Sequence, residues 1–272
     1  MDALHEKYEK LKTILRGYGK VTIAFSSGVD STFLLRASYD TLGVDNVAAA
    51  TATDESFPER ELDESENYCK QLGVKQYVFA SNELNVPGYA ENPVNRCYLC
   101  KKNLFVTMQK LVDENGLGEI CEGSNVDDLG DYRPGLQAVK ELGIHSPLRE
   151  AGLYKQDIRD LSKELGLPTW RKQSFACLAS RFPYGVRITA EKLKMVDLAE
   201  QRLLDMGFTN VRVRVHGDVA RIEVRPDEMQ RLVEPTVASE VDTYLKEIGF
   251  TYVAVDLAGY RTGSMNATLK GV

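Results

Sequence analysis

Nothing in the 272-residue chain approaches the roughly 20 consecutive apolar residues needed to cross a bilayer, so no membrane-spanning helix and no membrane partner are expected. The opening Met1-Asp2-Ala3-Leu4-His5-Glu6-Lys7 lacks the basic-then-apolar layout of a secretory signal, and the expected location is the cytoplasm. Broad positive charge is missing too. With 34 Lys and Arg against 40 Asp and Glu, the formal net charge is −6, and the molecule as a whole advertises no nucleic-acid partner, although a local basic patch stays open. Five cysteines (Cys69, Cys97, Cys100, Cys121, Cys177) are too few and too odd in number for a disulfide scaffold, and a reducing cytosol keeps them as thiols. What is present, 43% hydrophobic and 27% charged residues, is the balance of a globular protein with chain enough for one large domain or two smaller ones.

Leu4, Tyr8, Leu11, Ile14 and Leu15 recur at helical spacing, and Val21-Thr22-Ile23-Ala24-Phe25 is an apolar run suited to a buried strand. The alternation continues with a helix over 32–42, an apolar run over 46–53, a helix near 59–72, a strand near 76–80, a helix near 98–112, a strand at 119–122 and a helix near 155–165. Such alternation predicts an α/β fold with a mainly parallel, doubly wound sheet covered on both faces, and ligands at the carboxyl ends of its strands. Residues 168–187 lack clear periodicity, hold the only tryptophan, Trp170, together with Cys177, and read as a functional loop or linker. After a helix over 190–206, residues 211–216 and 220–225 flank a Gly217-Asp218 turn with strict alternation, the pattern of a two-stranded hairpin. The run 204–209 is echoed at 245–251, each before a strand, which supports a separate, smaller C-terminal α+β domain. The boundary is placed near 185–189, giving domains 1–186 and 187–272.

Ser26-Ser27-Gly28-Val29-Asp30-Ser31 follows a strand and opens a helix. The first backbone N–H groups of a helix lack internal partners, the macrodipole is positive there, and Gly28 permits close approach, so the turn suits an anion. Ser26 and Ser31 add hydroxyl donors. The plain alternative is a strand-to-helix turn capped by Ser26 or Ser27. A Walker-type run and a Gly-x-Gly-x-x-Gly fingerprint are both absent, so this is not a standard kinase or dehydrogenase loop.

The run Ala24 to Ser31 resembles the pyrophosphate loop, Ser-Gly-Gly-x-Asp-Ser, of the ATP pyrophosphatases, with Ser27 where that family usually has glycine. The resemblance implies the adenine nucleotide alpha hydrolase-like PP-loop fold, ATP, and adenylation of a substrate oxygen with release of pyrophosphate. Gly123-Ser124-Asn125-Val126-Asp127-Asp128 with Asp131-Tyr132-Arg133-Pro134-Gly135 is similar to the second nucleotide-side motif. On this basis Ser26, Ser27, Gly28, Asp30, Ser31, Ala50, Thr51, Gly123, Asp127 and Arg133 are expected around the nucleotide. Asp127, Asp128 and Asp131 offer carboxylates to Mg2+, with a solvated acidic loop as the alternative.

Residues 174–185, Ser-Phe-Ala-Cys-Leu-Ala-Ser-Arg-Phe-Pro-Tyr-Gly, narrow the resemblance. Together with Asp131–Gly135, Val211-Arg212-Val213-Arg214 and Gly259-Tyr260-Arg261-Thr262-Gly263-Ser264-Met265-Asn266, they resemble the LarE family over nearly the whole chain. That resemblance implies an ATP-dependent sulfur transferase of nickel-pincer cofactor synthesis, whose substrate is a small anionic pyridinium mononucleotide, pyridinium-3,5-biscarboxylic acid mononucleotide. A carboxylate is a poor electrophile, whereas an acyl adenylate carries AMP as a good leaving group for attack by a sulfur nucleophile. Cys177, near Arg171, Lys172 and Arg181 in sequence, has positive company for a thiolate. In the sacrificial version of the chemistry its sulfur leaves with the substrate and dehydroalanine remains.

Cys97-Tyr98-Leu99-Cys100 supplies two further thiols, and Cys177 stands four residues before Arg181 rather than the five of sacrificial relatives. Three thiolates, from Cys97, Cys100 and Cys177, are able to hold a [4Fe–4S] cluster with one iron open to carry a transferable sulfide. Half a zinc site or a redox pair is the alternative for Cys-x-x-Cys alone. Cys69, in a helical pattern, and Cys121, on a presumed strand, read as core residues.

On the hairpin, Arg212, Arg214 and His216 share one face, and Arg221, Glu223 and Arg225 alternate in the same way with Ile222 and Val224. A wet face of a half-buried sheet accounts for any single arginine. The cluster with Arg181 and Arg261 points to phosphate or carboxylate recognition, so Arg212, Arg214 and Arg261 are expected on the substrate. By resemblance Ser180 and Arg181 join Cys177 as catalytic candidates, while Glu200 and Glu223 match positions offered to a divalent ion. A third acidic ligand expected near residue 231 is absent, since Arg231 stands there. The family also implies a homo-oligomer, a hexamer, built through the second domain. Two alternatives remain: a PP-loop tRNA thiolase, which the net charge of −6 disfavours, and a non-catalytic nucleotide-binding module, which leaves the cysteines and the arginine hairpin unexplained.

Overall fold

The computed structural model describes residues 2–130, 134–173 and 177–261. By its contacts the chain divides into two compact units, Met1–Val86 with Asn95–Phe175, and Pro87–Val94 with Ala176–Val272. The division falls earlier than the expected 186/187, and a short excursion from the first half belongs with the second unit. Hydrogen bonds give the reason. The Asn92 side-chain amide donates to the carbonyls of Phe182 and Pro183, Gly185 N donates to Asn92 O, and Ile188 N donates to Ala90 O.

In the first unit the order is α1 (Ala3–Tyr18), β1 (Val21–Ala24), α2 (Val29–Leu42), β2 (Val47–Thr53), α3 (Glu59–Leu72), β3 (Lys75–Ala80), α4 (Arg96–Asn115), β4 (Glu119–Cys121), α5 (Gly135–Glu141), α6 (Pro147–Glu150) and α7 (Lys155–Glu164). The four strands form a parallel sheet in the order β3-β2-β1-β4. Its pleat explains the apolar composition of β2. Val47 and Ala49 enter one core with Leu11 and Leu15 of α1, Phe33 to Leu35 of α2 and Ile158 of α7, while Ala48 and Ala50 enter a second with Phe105 and Met108 of α4 and Val139 of α5. Both faces of β2 are therefore dry, as an inner strand of a parallel sheet requires, while the edge strand β3 is partly exposed. Full burial of a side chain such as Phe33 or Leu34 contributes about 1.5–3 kcal/mol.

The β1–β2 ladder runs one residue past β1, where Phe25 N donates to Ala50 O and Thr51 Oγ1 donates to Phe25 O. The turn that follows is thus anchored at the carboxyl end of the sheet. Helix α2 starts at Val29, earlier than the expected residue 32, so Asp30 and Ser31 already lie in its first turn. An acidic residue there is favoured by the macrodipole.

In the second unit α8 (Ala190–Asp205) leads to the hairpin of β5 (Arg212–His216) and β6 (Val219–Glu223), then to α9 (Met229–Leu232), α10 (Pro235–Glu247) and β7 (Tyr252–Val255). The sheet order is β5-β6-β7, with β5–β6 antiparallel and β6–β7 parallel. The expected internal echo is structural. Each of α8 and α10 ends at a positive-φ glycine, Gly207 or Gly249, followed by a phenylalanine whose N–H returns to the helix, Phe208 to Leu203 O and Phe250 to Leu245 O, both at 3.1 Å. This closure satisfies carbonyls that the helix end leaves open and turns the chain into the next strand.

Candidate functional site

Of the residues expected on the nucleotide, Ser26 to Ser31 follow the carboxyl end of β1, Gly123 and Asp127 follow that of β4, and Ala50 and Thr51 lie on β2. Gly28 is the N-cap of α2 and no side chain caps the helix, so the Ser-capped turn considered from sequence is not what forms. Ser26 is exposed, its Oγ lies 3.2 Å from Ser31 Oγ, and its N–H donates to Ser31 Oγ at 3.4 Å. Ser27 sits in the left-handed region at φ 52°, the conformation that makes glycine the usual residue at this position in the resembled loop. It is buried, with its hydroxyl within reach of Ser26 O, Glu61 O and Glu61 Oε2.

Gly123, after β4, approaches the first turn of α2 so closely that a Cβ would stand 3.2 Å from both Asp30 Cβ and Ser31 N. Asp30 accepts from Lys155 Nζ and from Asn125 Nδ2. Burial, aided by the charge of Asp128, raises its pKa against the opposing pull of Lys155. Asp127 Oδ2 accepts from Lys155 N and Asp128 Oδ2 from Asn125 N, so both carboxylates brace the loop while remaining hard oxygen donors of the kind Mg2+ takes. Ala50 is buried, and Thr51 Oγ1 donates to Phe25 O and accepts from Gln76 Nε2, so Thr51 supports the turn from behind. Arg133, Asp131 and Tyr132 lie outside the described residues.

Three side chains near this site were not singled out for it by sequence. Lys172, read there as company for Cys177, places its ammonium on Glu61 and Glu64 and on Ser27 O. Lys155 holds Asp30. Glu122 is buried at the end of β4, accepting from Ser146 Oγ at 2.6 Å and from Ser124 Oγ at 2.7 Å, with Lys101 Nζ at 3.4 Å. A carboxylate ending an apolar strand, immediately before a glycine, was the available signal.

The cysteines sort by exposure. Cys69 and Cys121 are buried, and burial pushes the Cys69 thiol up to about 12 and Cys121 higher still. Cys97 is exposed and Cys100 half-buried on the first turns of α4, three residues apart and so on one helical face. Cys100 Sγ donates to Glu83 Oε1. Cys177, in the second unit, is exposed and precedes a 3-10 turn over Leu178–Arg181. Soft thiolate donors are those an iron–sulfur cluster takes, and Cys97 and Cys100 of the first unit are donors of that chemistry.

In the second unit Arg181, Arg212 and Arg214 are buried, whereas Arg225 and Arg261 are exposed. Arg181 is fully buried and grips Glu200 with its fork, Nε to Oε1 and Nη2 to Oε2, both at 2.8 Å, while its Nη1 donates to Ser180 Oγ at 2.8 Å. Glu200 also accepts from Val213 N. Burial alone would raise the Glu200 pKa, but the Arg181 charge and these bonds outweigh it and lower it. Arg214 donates to Ser180 O and pairs with Glu223 at 2.9 Å. Arg212 faces the Tyr260 ring at 5.1 Å, and burial, with Arg181 nearby, pushes it down to about 10. Arg221 pairs with Glu223 and with Asp256, which Arg261 approaches at 3.8 Å. Glu200 and Glu223, offered to a metal from sequence, are here counter-ions of arginines, and among the described residues no three His, Cys, Asp or Glu side chains gather as a metal site. The motif residues 262–266 lie outside the described residues.

No family model matches the chain. It is 41% identical over 266 residues to an uncharacterised protein of Synechocystis sp., covering 98% of this chain and 99% of that one. It is 38% identical over 270 residues to pyridinium-3,5-bisthiocarboxylic acid mononucleotide synthase of Lactiplantibacillus plantarum, covering 99% of this chain and 97% of that enzyme. A distant match, 26% over 164 residues, is argininosuccinate synthase of Haloarcula marismortui, covering 56% of this chain and 38% of that one. With the phosphate turn, the cysteine loop and the arginine hairpin all inside the match to the synthase, the chain belongs to the LarE family of PP-loop enzymes.

Proposed function

We propose that the chain binds ATP at residues 26–31 and adenylates a carboxylate of pyridinium-3,5-biscarboxylic acid mononucleotide, then converts it to a thiocarboxylate. The observation that carries this reading is the match over 99% of the chain to the synthase. In the first step a carboxylate oxygen attacks the α-phosphorus and pyrophosphate leaves; the amides opening α2, with Ser26 and Ser31, are placed to take its charge. Asp127 and Asp128 are the oxygen donors for Mg2+. In the second step a sulfur nucleophile attacks the acyl carbon and AMP departs with the electron pair. Arg212, Arg214 and Arg261 receive the substrate's anionic groups, for which the planar guanidinium fork is suited.

For the sulfur, Cys97, Cys100 and Cys177 would hold a [4Fe–4S] cluster, which when bound supplies a sulfide on its open iron. The second source is Cys177 itself: a base removes its α-proton, the pair forms the Cα–Cβ double bond, and the carbon–sulfur bond breaks to leave dehydroalanine. The exposure of Cys177 and Cys97 supports both, and the Cys-x-x-Cys pair favours the first. We further place the protein in the cytoplasm as a homo-oligomer, a hexamer, without nucleic-acid or membrane partners; among the described residues no helix is long and apolar enough to cross a membrane.

The test is pyrophosphate release on mixing ATP with the pyridinium substrate, and mass detection of the thiocarboxylate, using anaerobically purified protein. Absence of substrate-dependent pyrophosphate would overturn the reading. A brown protein of unchanged mass after turnover supports the cluster, and a colourless one that has lost hydrogen sulfide from Cys177 supports sacrifice.

A further inference from the structure

Lys172 and Glu61 lie behind the phosphate turn rather than in it. Glu61, on the first turn of α3, is buried, and a lone carboxylate there would oppose any polyphosphate bound on the other side of the loop. Lys172 cancels it, with Nζ 2.7 Å from Glu61 Oε2. The same ammonium donates to Glu64 Oε2 and, at 3.3 Å, to Ser27 O. A lysine ammonium has three N–H donors, and these three acceptors account for all of them. Ser27 Oγ lies 3.0 Å from Glu61 Oε2, with Ser26 O and Glu61 O also within reach of its one proton. Ser27 is therefore held on both its carbonyl and its hydroxyl in a left-handed conformation that serine adopts reluctantly.

We propose that Lys172 and Glu61 are positioning residues for ATP: a charge-balanced latch that fixes Ser27 and so shapes the phosphate turn without touching the nucleotide. The proposal rests on the reading of residues 26–31 as the ATP site. A serine stands where the resembled loop has glycine, and the latch supplies by side-chain contacts what glycine supplies by its freedom of φ. Lys172 acts through Glu61, because its donors are already committed.

The test is calorimetric titration of the full-length protein with adenosine 5′-(α,β-methylene)triphosphate, which cannot be cleaved at the adenylation bond, with thermal melting as the check on folding. Lys172→Met is expected to weaken binding about tenfold, by uncovering the Glu61 charge and freeing the Ser27 carbonyl. Adding Glu61→Gln to that variant is expected to recover at least half of the loss on a logarithmic scale, since the uncovered charge is gone. Where Lys172→Met fails to fold, the same comparison is made with Lys172→Gln, which also removes the charge that faces Glu61 while keeping a hydrogen-bond donor. Wild-type affinity in Lys172→Met overturns the proposal, and so does a loss that Glu61→Gln leaves untouched, which would put the lysine on the nucleotide itself. A wild-type protein that binds no analogue overturns the nucleotide reading, and this inference with it.

Discussion

Arg214 and Arg221 stand directly opposite each other across the β5–β6 hairpin, two like charges in register, and one carboxylate serves both. Glu223 takes Arg214 Nη2 at 2.9 Å on one oxygen and Arg221 Nη2 at 3.0 Å on the other. Like charges in cross-strand register repel, so the shared counter-ion decides whether the pair is tolerated. Arg181, paired with Glu200, and Arg212, over the Tyr260 ring, belong to the same unit, a local gathering of guanidiniums in a chain of net charge −6.

Glu223→Gln keeps the shape and removes that counter-ion. Breaking a buried pair on one side costs about 3–5 kcal/mol, and the fully buried Glu223 places this variant in that range. Equilibrium urea unfolding checks it. Adding Arg221→Ala should return part of the loss, because one of the two opposed charges goes with it.

Gly123→Ala brings a methyl group to 3.2 Å from Asp30 Cβ and Ser31 N, so the first turn of α2 must give by a few tenths of an ångström. The expected result is a roughly tenfold higher KM for ATP, about 1.4 kcal/mol, with little change in melting temperature. Steady-state kinetics beside a thermal melt separates the two.

Glu122 titrates below its ordinary value of 4.5. Burial alone would raise it, but the Lys101 charge and the hydrogen bonds from Ser146 and Ser124 outweigh that. The unfolded chain therefore binds this proton at a higher pH than the folded one. The stabilisation is complete above pH 4.5 and is lost as pH falls below it through the folded-state pKa. Glu122→Gln should flatten the acid limb of stability against pH in this window, measured by urea unfolding at a series of pH values.

Replacement of Cys97 or Cys100 by alanine should abolish iron binding by anaerobically reconstituted protein, and Cys69→Ala and Cys121→Ala should retain it, as judged by iron and sulfide analysis. Iron that persists in both Cys97→Ala and Cys100→Ala would remove the cluster as the sulfur source.

The sequence carries local patterns well and distant pairings poorly. The hairpin was legible because Val211, Val213 and Val215 alternate with charged residues around Gly217-Asp218, and the observed register of Val215 with Ala220 and His216 with Val219 follows from that two-residue turn. The phosphate turn was legible because a strand, a serine-glycine run and a helix are contiguous. The burial of the arginine face was not, since alternation marks charged positions as wet, whereas Glu200, twelve or more residues from the arginines it serves, supplies the counter-charge from α8. Lys172 was assigned to Cys177 by nearness in sequence, yet its ammonium goes to Glu61, 111 positions away. The excursion at 87–94 is hidden for the same reason, because its ties to 182–188, backbone bonds and the Asn92 side-chain amide, join residues some 90 positions apart.

The two buried thiols give the first unit a built-in clock. Cys69 on the buried face of α3 and Cys121 on β4 have thiols that burial holds in the unreactive protonated form, so an alkylating reagent reaches them only when the surrounding core opens. Their labelling rate at neutral pH then reports the frequency of that opening at two places in the sheet-and-helix layer. Cys97 and Cys177, already at the surface, react without waiting for it.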